Sequence, residues 1–193
     1  MTILRALALS LALSVPTAAQ VPPSPASRAA GVTQLNTSFH GRWVGQLEYR
    51  DFQTNAQTFL PTWLAMTPSA DGNAVTLDYI YDDGPAKTVR ERETLAFTVA
   101  SAGGMTASVT SDRDHTSETY AVAGLEEFRK LGRGVLTLTG PGRENDKPVD
   151  VRITLTMRRN LFTWRKETRP SGGTEEFKFR DAYTFTRSEP PAL

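Results

Sequence analysis

The chain of 193 residues contains no cysteine. That absence excludes disulfides, a thiolate nucleophile, thiolate metal ligands and a lipid-modified cysteine anchor, so a folded body must hold together by burial and strand pairing. Histidine is nearly as scarce, with His40 and His115 the two copies. No Gly-x-Ser-x-Gly occurs and no motif sets a histidine beside a serine, which leaves triad hydrolysis without its parts. An excess of one charge is missing too. The 22 basic and 21 acidic side chains give a formal +1, which points to neither nucleic acid nor an anionic membrane surface as partner. Long apolar runs are confined to one, Ala6 to Val15, half of the roughly 20 residues that span a bilayer. No repeat of solenoid or propeller period is visible.

What is present begins with that run. Arg5 in front of it, Pro16 behind it and Thr17-Ala18-Ala19 at its exit make residues 1–19 a secretory signal, predicting cleavage before Gln20 and a periplasmic or extracellular location. Removing residues 1–19 leaves 174, the length of one domain, and the loss of Arg5 makes the remainder formally neutral. Residues 20–38 mix proline, alanine and serine without periodicity and read as a flexible linker. Residues 189–193 form a short tail.

From Phe39 the pattern changes to alternating runs punctuated by Gly, Asp, Asn and Pro, the mark of antiparallel strands. Arg42 to Asp51 sets Trp43, Gly45, Leu47 and Tyr49 on one face. Thr58 to Thr67 is apolar on both faces, with Phe59, Trp63 and Ala65 opposite Leu60, Leu64 and Met66, and its Pro61 suggests an edge or bulge. Ala74 to Tyr81 groups Val75, Leu77, Tyr79 and Tyr81. Thr88 to Val99 changes from charged alternation to Leu95, Phe97, Val99, which predicts a bulge near Thr94. Val149 to Met157 alternates without a fault. With Met105 to Val109, Ser117 to Val122, Val135 to Thr139, Leu161 to Thr168 and Glu176 to Arg187, ten strands are expected, and Leu125 to Leu131 as about two helical turns. So many consecutive strands hide their edges best by closing. The expected fold is all-β, a single antiparallel up-and-down barrel of eight to ten strands over residues 39–188, with room inside for side chains and one small ligand.

Gly41-Arg42-Trp43 at the head of the first strand resembles the opening motif of lipocalins and the wider calycin group. That resemblance implies a barrel closed at one end by the tryptophan, beneath an arginine of the last strand, and Arg187 is the candidate. An indole under a guanidinium is a cation–π stack worth about 0.5–2 kcal/mol. The long C-terminal helix and the tail disulfide of typical lipocalins are absent, so the chain resembles a bacterial lipocalin-like domain reduced to its barrel. Nitrobindin-like barrels, similar in outline, hold haem through a late histidine. None follows His115, and no cofactor is expected.

The remaining candidates are weighed by chemistry. Asp112, Asp114 and His115 could ligate a metal, but an Asx-rich turn is the expected reading. Asp82-Asp83-Gly84-Pro85 lacks the spacing of a calcium loop and reads as a turn. Glu91 and Glu93 share a face yet alternate with Arg90 and Arg92, which suggests a solvated strand. Arg152 and Arg165 lie opposite the apolar parity of their strands. Aromatics carry the functional expectation: Tyr49, Trp63, Tyr79, Tyr81, Phe97, Trp164, Phe179 and Tyr183 would line a small-molecule site. The expected function is an exported binder of a lipophilic or weakly acidic small molecule, without catalysis. The alternatives are a cofactor-free isomerase or cyclase on the same barrel, or a structural or protein-interaction barrel with a filled core. Membrane insertion is not expected, because the strands carry no uniform lipid-facing band, and oligomeric state stays open.

Overall fold

A computed structural model describes residues 35–51, 54, 56–99 and 104–188. The leader, most of the 20–38 linker and the tail lie outside the described residues. Ten strands follow in chain order: β1 (Gly41–Arg50), β2 (Gln57–Pro68), β3 (Ala74–Asp82), β4 (Thr88–Val99), β5 (Met105–Ser111), β6 (Ser117–Ala123), β7 (Gly134–Glu144), β8 (Lys147–Met157), β9 (Leu161–Pro170) and β10 (Lys178–Arg187), with helix α1 (Leu125–Leu131) between β6 and β7. Each strand pairs antiparallel with its sequence neighbours, and β1 pairs with β10 to close the barrel. Closure leaves no strand with a wholly free edge, in a chain that has no disulfide to hold an open sheet.

Alternation decides the interior. Val149, Val151, Ile153, Leu155 and Met157 of β8 are all buried. In β2 the register Trp43↔Leu64 puts Thr62, Leu64 and Met66 inside, while Phe59 and Trp63 are 48% and 46% exposed on the outer face. Pro61 sits just beyond the end of the β2–β3 ladder, which starts at Thr62↔Tyr81, so one flank of the strand is unpaired there. β4 keeps continuous register with β3 from Thr88 to Ala96, without the expected bulge near Thr94. The register shift falls instead in β10, between Phe179 and Asp181. β7 runs five residues past the expected end at Thr139, with Gly140, Pro141 and Gly142 paired to Val151, Asp150 and Val149 of β8.

One end is plugged. Residues 35–38 form a helical turn with Leu35 and Asn36 buried, so the packed body begins before Phe39, inside the segment expected as linker. Asn36 Nδ2 donates to the Gly72 carbonyl at 2.8 Å, tying that turn to the β2–β3 loop. Phe39 stacks on Phe97 and on Phe128 of α1, with centroids 5.8 and 5.7 Å apart, and meets Phe162 edge-on. A helix of seven residues has little stability alone. Here Phe128 is 1% exposed, and Gly132 at φ 60 ends the helix by donating to the Phe128 carbonyl.

Trp43 lies in the same plug, 1% exposed, with the Arg187 guanidinium 4.3 Å from its ring centroid. Arg187 also donates to the carbonyls of Arg159 and His40, both at 3.1 Å. Gly41 has φ +149, and a Cβ there would stand 2.2 Å from Arg187 Nη1. The glycine of the Gly-x-Trp motif is thus what lets the guanidinium reach the indole.

Candidate functional site

The interior has two halves. From the plug upward an aromatic column runs Phe162–Phe185–Tyr183, with ring centroids 6.0 and 5.8 Å apart. It ends in a tyrosine group: Tyr79 lies 5.2 Å from Tyr183 and 5.8 Å from Tyr81. The Tyr81 and Tyr183 hydroxyls share a hydrogen bond of 2.9 Å. Above this level, toward the end bearing the β1–β2, β3–β4 and β5–β6 loops, the walls turn polar.

There a cavity of about 330 Å³ opens, at the low end of the roughly 300–1,000 Å³ of small-molecule sites. Leu47, Val109, Ile153, Tyr49, Tyr79, Tyr120, Trp164 and Tyr183 supply its apolar walls; Glu93, Glu118, Lys166, Arg180, Asp181 and Arg50 supply charge. Each arrives by strand parity. Glu93 continues the inward row Leu95, Phe97 of β4, Asp181 continues Tyr183 and Phe185 of β10, and Lys166 continues Phe162 and Trp164 of β9. Lys166 and Asp181 are cross-strand partners.

Electrostatics follows from enclosure. Burial pushes the Glu93 carboxyl up to about 7, reinforced by Glu91, Asp181 and Glu118 and opposed by Lys166. Burial likewise lifts Asp181 to about 6, against the pull of Lys166 and Arg180. The phenols of Tyr79, Tyr81, Tyr120 and Tyr183 are all raised, burial being the largest cause, so they stay protonated donors. Glu118 accepts from the Tyr120 hydroxyl and has Lys166 Nζ at 3.7 Å. Arg180 pairs with Glu144, which also accepts from Thr168 at 3.0 Å.

Of the aromatics expected at a site, Tyr49, Tyr79, Trp164 and Tyr183 line this cavity, and Tyr81 sits beside it through its bond to Tyr183. Three do not join them. Phe97 points inward but is fully buried in the plug against Phe39. Trp63 is on the outer face. Phe179 is outward as well, with the Arg165 guanidinium 4.9 Å over its ring, because the β10 register shift inverts the strand's phase.

The carboxyls are what sequence reasoning missed. Glu91 and Glu93 face inward, not into solvent; Glu91 meets Arg113 at 2.8 Å, while Glu93 lies deeper. The signal was available in their shared parity with Leu95, Phe97 and Val99, had no bulge been inserted at Thr94. His115 is exposed at φ 57 in the β5–β6 turn, where Asp114 accepts from the Thr116 amide and hydroxyl at 3.1 and 2.8 Å. Turn geometry accounts for that segment, and no group of three metal-ligating side chains occurs among the described residues.

A larger concavity of about 830 Å³ lies over β1–β4. Most of its lining, including Trp63, Ile80, Arg42, Arg90 and Arg92, comes from outward positions, and Arg92 is satisfied by Asp78 at 2.6 Å. The interior holds the perturbed groups, and perturbed titration in a cleft is the better marker of a site.

No protein-family model and no curated protein matches this chain. Among solved structures, a DUF3598-family protein of unknown function from Nostoc punctiforme aligns at 8% sequence identity over 81% of this chain and 98% of its own, with a TM-score of 0.22, too low to transfer fold or function.

Proposed function

We propose that this chain is an exported small-molecule-binding protein whose site is the polar half of the barrel interior. One observation carries the reading: a cavity of about 330 Å³, walled by tyrosines and Trp164, into which titratable side chains project. A filled structural core would place apolar atoms there, because burying carboxyls without a partner costs several kcal/mol. Such groups are kept where a ligand uses them. The volume favours a compact ligand over a long acyl chain, and the carboxyls disfavour the weakly acidic ligand that the sequence suggested. The plug of Trp43 and Arg187 supports the lipocalin-like resemblance.

Trp164 is the reporter. It lines the cavity at 8% exposure, whereas Trp43 is sealed in the plug and Trp63 is outside. A bound compound should therefore change emission in the native chain and in Trp63→Phe but not in Trp164→Phe, and native mass spectrometry of protein from its own host should show the added mass. Unaltered emission and melting temperature across a panel of compact amphiphiles, with no co-purifying mass, would refute the reading.

A second reading has its own observation. A carboxyl lifted to about 7 near a hydrogen-bonded phenol pair is what a cofactor-free isomerase needs, a general base beside donors for a developing oxyanion. Conversion of a bound compound in proportion to time and protein, abolished in Glu93→Gln, would establish it over simple binding.

A further inference from the structure

The charges of the interior can be paired off one by one. Glu118 has Lys166 and the Tyr120 hydroxyl, Glu144 has Arg180 and Thr168, and Glu91 has Arg113. Arg50 is engaged as well. Two groups are left over, and both are acids. Among the described residues Glu93 and Asp181 make no hydrogen bond or ion pair, although both line the cavity.

That remainder has a definite chemical complement. Lys166 draws on both acids and Arg180 on Asp181, but those cations make their contacts with Glu118 and Glu144. The two carboxyls therefore still lack a cation that donates to them, and a metal ion would require a ligand set that the described residues do not assemble. The adjoining wall is aromatic: Tyr79 and Tyr183 with centroids 5.2 Å apart, and Trp164. Aromatic faces attract organic cations and also cover an apolar body. Resting on the binding reading above, we infer that the ligand is a compact organic ammonium ion, its charge held by Glu93 and Asp181 and its body packed against Tyr79, Tyr183 and Trp164. Lys166 limits the site's negative charge and so sets how strongly a monocation is held.

The test uses three probes of one shape: 3-phenylpropylammonium, 3-phenylpropan-1-ol and 3-phenylpropanoate, titrated calorimetrically at pH 8. The ammonium ion should bind at least about tenfold more tightly than the alcohol, and the carboxylate most weakly. Glu93→Gln with Asp181→Asn should reduce ammonium affinity by about tenfold or more and leave the alcohol unchanged. Lys166→Met keeps both acids but removes the cation that favours their charged forms, so it is titrated at about pH 9, where it should tighten ammonium binding about threefold or more. If the alcohol or the carboxylate binds as well as the amine, or if neither set of variants changes amine affinity, the ammonium assignment is overturned while binding itself stands. If none of the three binds at millimolar concentration, the binding reading falls and this inference with it.

Discussion

Glu93→Gln should make the folded protein more stable, and the amount depends on pH. Glutamine keeps the size and planarity of the side chain while removing the ionisation that burial opposes. A move from 4.5 to about 7 corresponds to roughly 3 kcal/mol of folded-state preference for the neutral acid. The sign is set by proton binding. Between those values the folded state holds the proton and the unfolded state has released it, so the stability contributed by the neutral carboxyl is complete below about 4.5 and is lost as pH rises through 7. At pH 8 the native chain carries the full penalty and Glu93→Gln carries none, a gain of about 1–3 kcal/mol once partial hydration from the cavity is allowed for. For a domain of this size that is a rise in melting temperature of about 2–12 °C. At pH 4 both chains are neutral at this position and the advantage should vanish. Thermal and urea denaturation at pH 4, 6 and 8 measures it directly. A variant no more stable than the native chain at pH 8, or a difference that does not grow with pH, would refute the burial of an unmatched carboxyl in the barrel interior. The same substitution should weaken ligand binding, the usual exchange of stability for a site.

Asp181→Asn should behave alike over a lower window, from 3.8 to about 6, and combining it with Glu93→Gln should give less than the sum because the two acids repel each other. Trp43→Ala should cost about 3–5 kcal/mol in chemical denaturation, Arg187→Ala less, and the pair should be non-additive across their 4.3 Å contact; strict additivity would show that the stack contributes nothing. Gly41→Ala should destabilise by displacing Arg187 from its position over Trp43. Mass analysis of the exported protein should begin at Gln20 or within a few residues, and recovery of the form beginning at Met1 would remove the leader assignment.

What the sequence determined by itself was the set of strands and the need to close them. The faultless alternation of Val149 to Met157, the loops carrying Asp71-Gly72-Asn73 and Asp82-Asp83-Gly84, and the lack of any cysteine to staple an open sheet all follow from local chemistry, and local chemistry is what a strand pattern records. Phase is different, because period-two alternation defines two faces without saying which is inside. For Thr58 to Thr67, apolar on both faces, the pairing of Leu64 with Trp43 decided that Trp63 points outward. In β10 the shift between Phe179 and Asp181 turned Phe179 out while Asp181, Tyr183 and Phe185 stayed in, since one extra residue inverts everything beyond it. In β4, Arg90 and Arg92 on one face and Glu91 and Glu93 on the other are equally polar in sequence. Closure of the barrel buried the acidic face, and the distant strands β6, β9 and β10 brought Glu118, Lys166 and Asp181 around it. Their unequal pairing, and the perturbed carboxyls that result, are properties of that tertiary juxtaposition.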